Sequence, residues 1–176
     1  MFRKMLMGAL CLSAALACQS RAFAQTTASQ QFNVVVPSVL SITAPAAVSI
    51  NHNQTDANQV FPAQSWVAQC NNSLGAVLNM STATAFRNTV GATTYKRNAQ
   101  LALALASSDA GSGWSVTTAS DATNYAGADE VATVSARSTA PGDASFNLTV
   151  TFLDTDFSVL AAGTYTTVVT GTITAN

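Results

Sequence analysis

Ser145-Phe146-Asn147-Leu148-Thr149-Val150-Thr151-Phe152 alternates without a break between apolar and short polar residues. Successive side chains of a β-strand point to opposite faces. Phe146, Leu148, Val150 and Phe152 therefore share one face, and Asn147, Thr149 and Thr151 the other. This is the pattern of a strand with one face in a core and one toward water. A helix of period 3.6 would scatter the same residues round its axis. The end of the chain repeats the pattern: Tyr165, Thr167, Val169, Gly171 and Ile173 alternate with Thr166, Val168, Thr170, Thr172 and Thr174.

Upstream, the same period recurs between turn signals. Thr139-Ala140-Pro141-Gly142-Asp143 is a strong turn just before the first stretch. Val131–Ala136, Trp114–Thr118 and Gly75–Met80 read as strands. Gln64–Cys70 does too, with Trp66, Ala68 and Cys70 on one face. Leu101, Leu103 and Leu105 alternate with alanines, and strict alternation outweighs the helix propensity of Ala and Leu. Val39, Leu40 and Ile42 form another strand candidate, and Ala47–Ile50 a short one. Asn51–Asn58, Ser81–Asn98 and Ala119–Glu130 read as loops. About nine or ten short strands with no helical pattern predict an all-β sandwich or barrel. Composition agrees, since the chain carries 23 threonines after residue 24, and Thr suits a pleated, half-buried surface.

The 176-residue chain begins with a different kind of segment. Arg3 and Lys4 precede an apolar run from Leu6 to Ala17, and Ala22-Phe23-Ala24 forms an A-x-A cleavage site. That run is too short to span a bilayer, which takes about 20 helical residues. Residues 1–24 are expected to be a secretory signal peptide. A lipoprotein signal cut before Cys18 is the alternative reading. Residues 25–31 (QTTASQQ) are expected to be a flexible polar lead, and residues 32–176 the β-sandwich domain. No second apolar stretch of membrane length follows, so no transmembrane segment is expected in the mature chain.

Cleavage leaves Arg87, Lys96, Arg97 and Arg137 against eight acidic residues, a net charge of −4. So few cations argue against nucleic acid as a partner, because neutralising phosphates needs clustered Lys and Arg. One cysteine, Cys70, remains. It cannot form an internal disulfide, and its place in an alternating strand makes it a small buried apolar residue.

Candidate chemistry is sparse. His52 is the only histidine and sits in an Asn-rich loop, so a surface position is expected. No nucleophile elbow or phosphate-binding glycine loop occurs. Asp154-Thr155-Asp156 and Asp129-Glu130 offer oxygen atoms of the kind calcium takes, without EF-hand order, and read as solvated loop acids. One His and one mature Cys do not make a zinc site. Catalytic residues, cofactor and metal ligands are therefore expected to be none, and the protein is not expected to be an enzyme. Trp66 and Trp114 lie in alternating strands and belong to the core. Tyr95 and Tyr125 lie in loops and are the candidate ligand contacts. Phe32, Val34 and Val36 alternate after the polar lead and read either as the domain's own first strand or as a strand offered to another copy.

The stretch Ala161-Ala162-Gly163-Thr164-Tyr165-Thr166-Thr167-Val168-Val169-Thr170-Gly171-Thr172-Ile173-Thr174 resembles the C-terminal strand of bacterial pilin-like secreted domains, spore-coat-U-type proteins among them. Gly113-Trp114-Ser115-Val116-Thr117 resembles a stretch of WxL-type surface domains. The likeness covers these two stretches alone. It implies a single immunoglobulin-like, Greek-key β-sandwich exported by a bacterium and acting as a surface or appendage subunit. In chaperone–usher pilins an N-terminal extension of alternating apolar residues completes the sheet of the next subunit, and Phe32, Val34 and Val36 hold that place here. Unlike typical pilins, the mature chain has no cysteine pair. The expected function is thus a non-catalytic structural or assembly subunit, secreted to the bacterial surface, with itself or cell-surface components as partner. The alternative is a monomeric extracellular module that binds glycan or another surface partner.

Overall fold

The computed structural model describes residues 26–176, so the signal-peptide reading lies outside the described residues. The chain divides into two units, Met1–Val35 and Val36–Asn176. In the first, residues 26–35 form no strand, and Phe32, Val34 and Val35 are exposed.

The second unit is a β-sandwich. Its strands are β1 (Leu40–Thr43), β2 (Gln59–Val60), β3 (Gln64–Cys70), β4 (Ala76–Thr82), β5 (Phe86–Val90) and β6 (Thr93–Arg97). They continue with β7 (Ala99–Ser108), β8 (Ser115–Thr118), β9 (Ser120–Ala122), β10 (Thr133–Arg137), β11 (Ala144–Phe152) and β12 (Val169–Ala175). One sheet has the order β1-β3-β11-β7-β9, with β2 paired to the end of β11. The other has the order β12-β4-β10-β8. From β7 to β12 every connection crosses from one sheet to the other, as β3 to β4 does, so the two layers of the expected β-sandwich are woven together along the chain. Among the described residues no helix is long and apolar enough to cross a membrane.

Alternation builds the core. Trp66, Ala68 and Cys70 of β3, Leu101 and Leu103 of β7, and Phe146 and Leu148 of β11 line one sheet and pack against Leu78 and Met80 of β4 and Val134 of β10 in the other. Trp114 packs edge-on against Phe146 with centroids 5.5 Å apart, and its indole N–H donates to the Gly142 carbonyl at 2.9 Å. A buried indole so satisfied adds packing without leaving an orphan donor. Cys70 is a free, buried thiol, and Trp66 and Trp114 are core residues, as their strand positions predict.

Three segments differ from the sequence reading. Residues 81–98 hold the β5–β6 hairpin, although polar residues dominate them; Phe86 and Asn88 turn inward and bury one side. Residues 119–130 contain β9 and a short 3-10 turn at Tyr125–Gly127. Ala47–Ile50 forms no strand, because nothing pairs with it.

The sandwich has a foot and a crown. At the foot, Asn71 follows β3: its Nδ2 donates to the Pro37 carbonyl at 2.7 Å and its Oδ1 accepts from the Val39 N–H at 2.7 Å. At the crown lie residues 51–58, the end of β11 and the 3-10 turn Phe157–Val159.

Candidate functional site: an open seam between two sheet edges

β1 and β12 are edge strands of different sheets and run side by side. Near the foot their seam is shut. Gly171 lies so close to the other sheet that a Cβ there would stand 2.8 Å from Cζ3 of Trp66 and 3.2 Å from Cδ1 of Ile42. Toward the crown the two edges part. Residues 44–52, which follow β1, form one wall, and residues 160–169, which precede β12, form the other. Between them runs a groove of about 810 Å³. Its floor is core: Trp66, Leu148, Val150, Phe152, Phe61 and Phe86.

The crown end of the groove is aromatic. Phe86 lies 6.0 Å from Phe61 and 5.2 Å from Phe152, and Phe152 lies 5.4 Å from Tyr165. His52 stacks on Phe157 at 5.2 Å and meets Phe152 edge-on at 5.9 Å. His52 is thus a half-buried wall residue, not the surface residue its loop suggests. Asp154 is likewise buried rather than solvated. Its Oδ1 accepts from Arg97 Nε at 3.3 Å and from the N–H groups of Thr155 and Asp156. Its Oδ2 lies 3.4 Å from His52 Nε2. His52 Nδ1 accepts from the Gln54 N–H at 3.0 Å, so in the neutral ring Nε2 carries the proton and faces the carboxylate. Nδ1 is taken by that backbone bond, while Nε2 and Asp154 Oδ2 are buried atoms that face each other without a hydrogen bond. Among the described residues no hydroxyl or thiol bonds to either ring nitrogen.

The other wall is shaped by the β5–β6 hairpin. Arg87 and Thr166 exchange backbone hydrogen bonds at 3.0 and 2.9 Å. In an antiparallel pair neighbouring residues direct their N–H and C=O to opposite sides, so Tyr165 and Thr167 turn theirs away from the hairpin. The buried Asn88 amide donates to the carbonyls of Ala161 and Ala162, both at 3.3 Å. Gly163 makes that approach possible: its φ is +144°, and a Cβ would fall 2.6 Å from Asn88 Nδ2. Glu130 clamps the hairpin from outside, accepting from Arg87 Nη2 and Lys96 Nζ, both at 2.5 Å. Hydrogen bonds from Arg87 first, then Lys96, lower its carboxyl to a pKa of about 2.

No protein-family model, curated protein or solved structure matches this chain. The groove therefore has to be understood from its own chemistry. It is apolar, elongated and bordered by an unpaired strand edge, and its floor is made by core side chains. Among the described residues no three His, Cys, Asp or Glu side chains gather as a metal site.

The sequence-predicted residues fall in two places. Phe32, Val34 and Val36 lie in no strand and are 81%, 89% and 74% exposed, an unusual state for three alternating apolar residues. Tyr95 is on β6 and Tyr125 in the 3-10 turn; both are half-buried and neither lines the groove. The groove itself escaped sequence reading. Its one local signal was Tyr165, Thr167 and Val169, whose alternation begins before β12 does.

Proposed function

We propose that this chain is a secreted bacterial surface protein without catalysis, a structural subunit that joins others by strand addition. The observation that carries the reading is the apolar seam left open between two sheet edges, in a chain that also carries an exposed alternating segment, Phe32-Asn33-Val34-Val35-Val36. An extended peptide added to a sheet edge gains main-chain hydrogen bonds along its length, and alternate side chains enter the pockets beneath. Tyr165 and Thr167 supply such an edge. Phe61, Leu148, Val150 and Phe152 supply the floor. Long unpaired edges beside apolar surface invite aggregation unless something covers them. The signal-like residues 1–24 and the low charge fit an exported protein whose surface opposes self-association only weakly.

Light scattering on the mature protein across a concentration series, with and without residues 25–36, tests this. Discrete heavy species that vanish on truncation are expected. A monomer at every concentration would overturn strand addition and favour the glycan-binding module, for which glycan arrays are then the measurement.

A further inference from the structure

The crown wall of the groove contains one ionisable ring, and its two sides are unequal. On one side His52 Nδ1 accepts from the Gln54 N–H at 3.0 Å. On the other, Nε2 and Asp154 Oδ2 are buried 3.4 Å apart with no hydrogen bond between them. Buried polar atoms are nearly always paired, so this unmade pair calls for a reason. A second proton on the ring supplies one. Imidazolium has two donors and no acceptor. Its Nδ1–H and the Gln54 N–H would point at each other, and that contact must break. The idle Oδ2 of Asp154 is then the acceptor waiting on the other side.

The two sides also differ in what the change costs them. Gln54 is exposed, so water can take up its N–H. Its φ of +61° is a left-handed conformation that a residue with a side chain keeps only when held, so release relieves strain. The Asp154 side chain is 1% exposed, and a charge-assisted bond to it is stronger than one in water. The charged groups around the ring pull both ways. Arg97, at the end of β6, holds Asp154 Oδ1 at 3.3 Å and opposes a second cation. Asp154 itself, after β11, attracts one. So do Asp56, on the ring's own loop, and Asp156, whose carboxylates accept from the Phe157 and Ser158 N–H groups. Phe157, stacked on His52 at 5.2 Å, offers a π face to either form of the ring.

We propose that His52 is an acid-operated latch: a proton on Nδ1 expels the Gln54 N–H, turns Nε2–H onto Asp154 Oδ2 and frees Gln54 from the crown wall of the groove. The release is local. Asn58 Oδ1 accepts from the Asp154 N–H at 2.9 Å and Asp56 Oδ1 from the Phe157 N–H at 2.8 Å, so the rest of the loop stays tied. The wall changes its setting without opening the sandwich. This holds whatever occupies the groove and does not rest on strand addition.

NMR on the full mature chain, titrated from about pH 8 to pH 5, tests this, because histidine exchanges its proton in that range. At pH 8 the ring nitrogens should show the Nε2–H tautomer. As the ring takes up its second proton, the Gln54 amide proton should move upfield, the sign of a lost hydrogen bond, with the same midpoint as the ring. Amides of β3 and β11 should stay still. In His52→Asn the side-chain carbonyl can still accept from Gln54 but takes up no proton here, so the Gln54 amide should not move. A Gln54 amide that stays still while the wild-type ring titrates would overturn the latch. So would the Nδ1–H tautomer at pH 8, or a ring that takes up no second proton by pH 5. A Gln54 shift that persists in His52→Asn would assign the change to the carboxylates and overturn the role of His52. Should that variant not fold, agreement or disagreement of the ring and amide midpoints in the wild type decides alone.

Discussion

The seam between β1 and β12 is one structure with two outcomes. At Ile42 and Gly171 the sheets touch, and a single hydrogen in place of a side chain is what lets them. A few residues toward the crown, where Ala44–His52 faces Leu160–Val169, the same two edges stand apart over a floor of core side chains. The difference is not one of polarity, since both ends are apolar. It lies in what holds the walls. The shut end is held by direct packing across the sandwich. The open end is held outward by polar ties to a third element: Asp154 and His52 on one side, Asn88 and the β5–β6 hairpin on the other. An apolar cleft persists in water only when its walls are braced by something other than each other.

Breaking the braces should be more costly than disturbing the seal. Replacing Asp154 by Ala removes the acceptor of the mostly buried Arg97 and of two backbone N–H groups, and the carboxylate that faces His52. A loss of about 3–5 kcal/mol is expected, seen as a lower urea midpoint. Gly171→Val forces a branched side chain against Trp66 and Ile42 and should cost about 1–3 kcal/mol. It should also widen the shut end, so a peptide of residues 26–38 should bind more weakly or in an altered register by NMR. Asn88→Ala removes the buried amide that donates to the carbonyls of Ala161 and Ala162; because water can reach these partly exposed carbonyls, the expected cost is about 0.5–1.5 kcal/mol. Here the sharper readout is hydrogen exchange: faster exchange confined to residues 160–168 is expected, with the β3 and β11 amides unchanged.

The smallest effect concerns Glu130. Its carboxyl titrates near pH 2 in the folded chain against an ordinary value of 4.5. A depressed carboxyl pKa favours the folded state wherever the group is ionised in both states, and the benefit fades as pH falls below 4.5 toward 2. The gap in urea midpoint between wild type and Glu130→Gln should therefore be constant above about pH 5.5 and close as pH falls toward 2. A gap that persists at pH 2 would show that the clamp acts through packing rather than charge.

Much of the fold was legible because alternation is a local property. Phe146, Leu148 and Phe152 could be assigned to one inner face without knowing their partners. The β5–β6 hairpin was not legible. Its strands, Phe86–Val90 and Thr93–Arg97, are mostly polar, and only Phe86 and Asn88 are buried. The candidate site was half legible. The alternation of Phe32, Val34 and Val36 was legible as a strand pattern, either the domain's own first strand or one offered to another copy. The groove was not, since it is made by the spacing between Ala44–His52 and Leu160–Val169, and no local pattern encodes the distance between two segments so far apart in sequence. His52 and Asp154 were misplaced for a related reason. They lie far apart in sequence, and only the meeting of two crown loops buries them against each other.

The crossing connections carry a consequence for how the chain reaches this state. Among the described strands, β5 and β6 are the only consecutive pair that hydrogen-bond to each other. Trp66 must find Phe146, and Ala76 must find Ala175. Contacts so distant along the chain make for slow folding, because loop closure comes before any reward in packing. Apart from the β5–β6 hairpin and the β1–β3 pair, no early portion of the chain can settle into a sheet, so β3 keeps one edge and β4 both edges unpaired until β10, β11 and β12 arrive. A chain built in this way remains threadable for longer than one made of local hairpins.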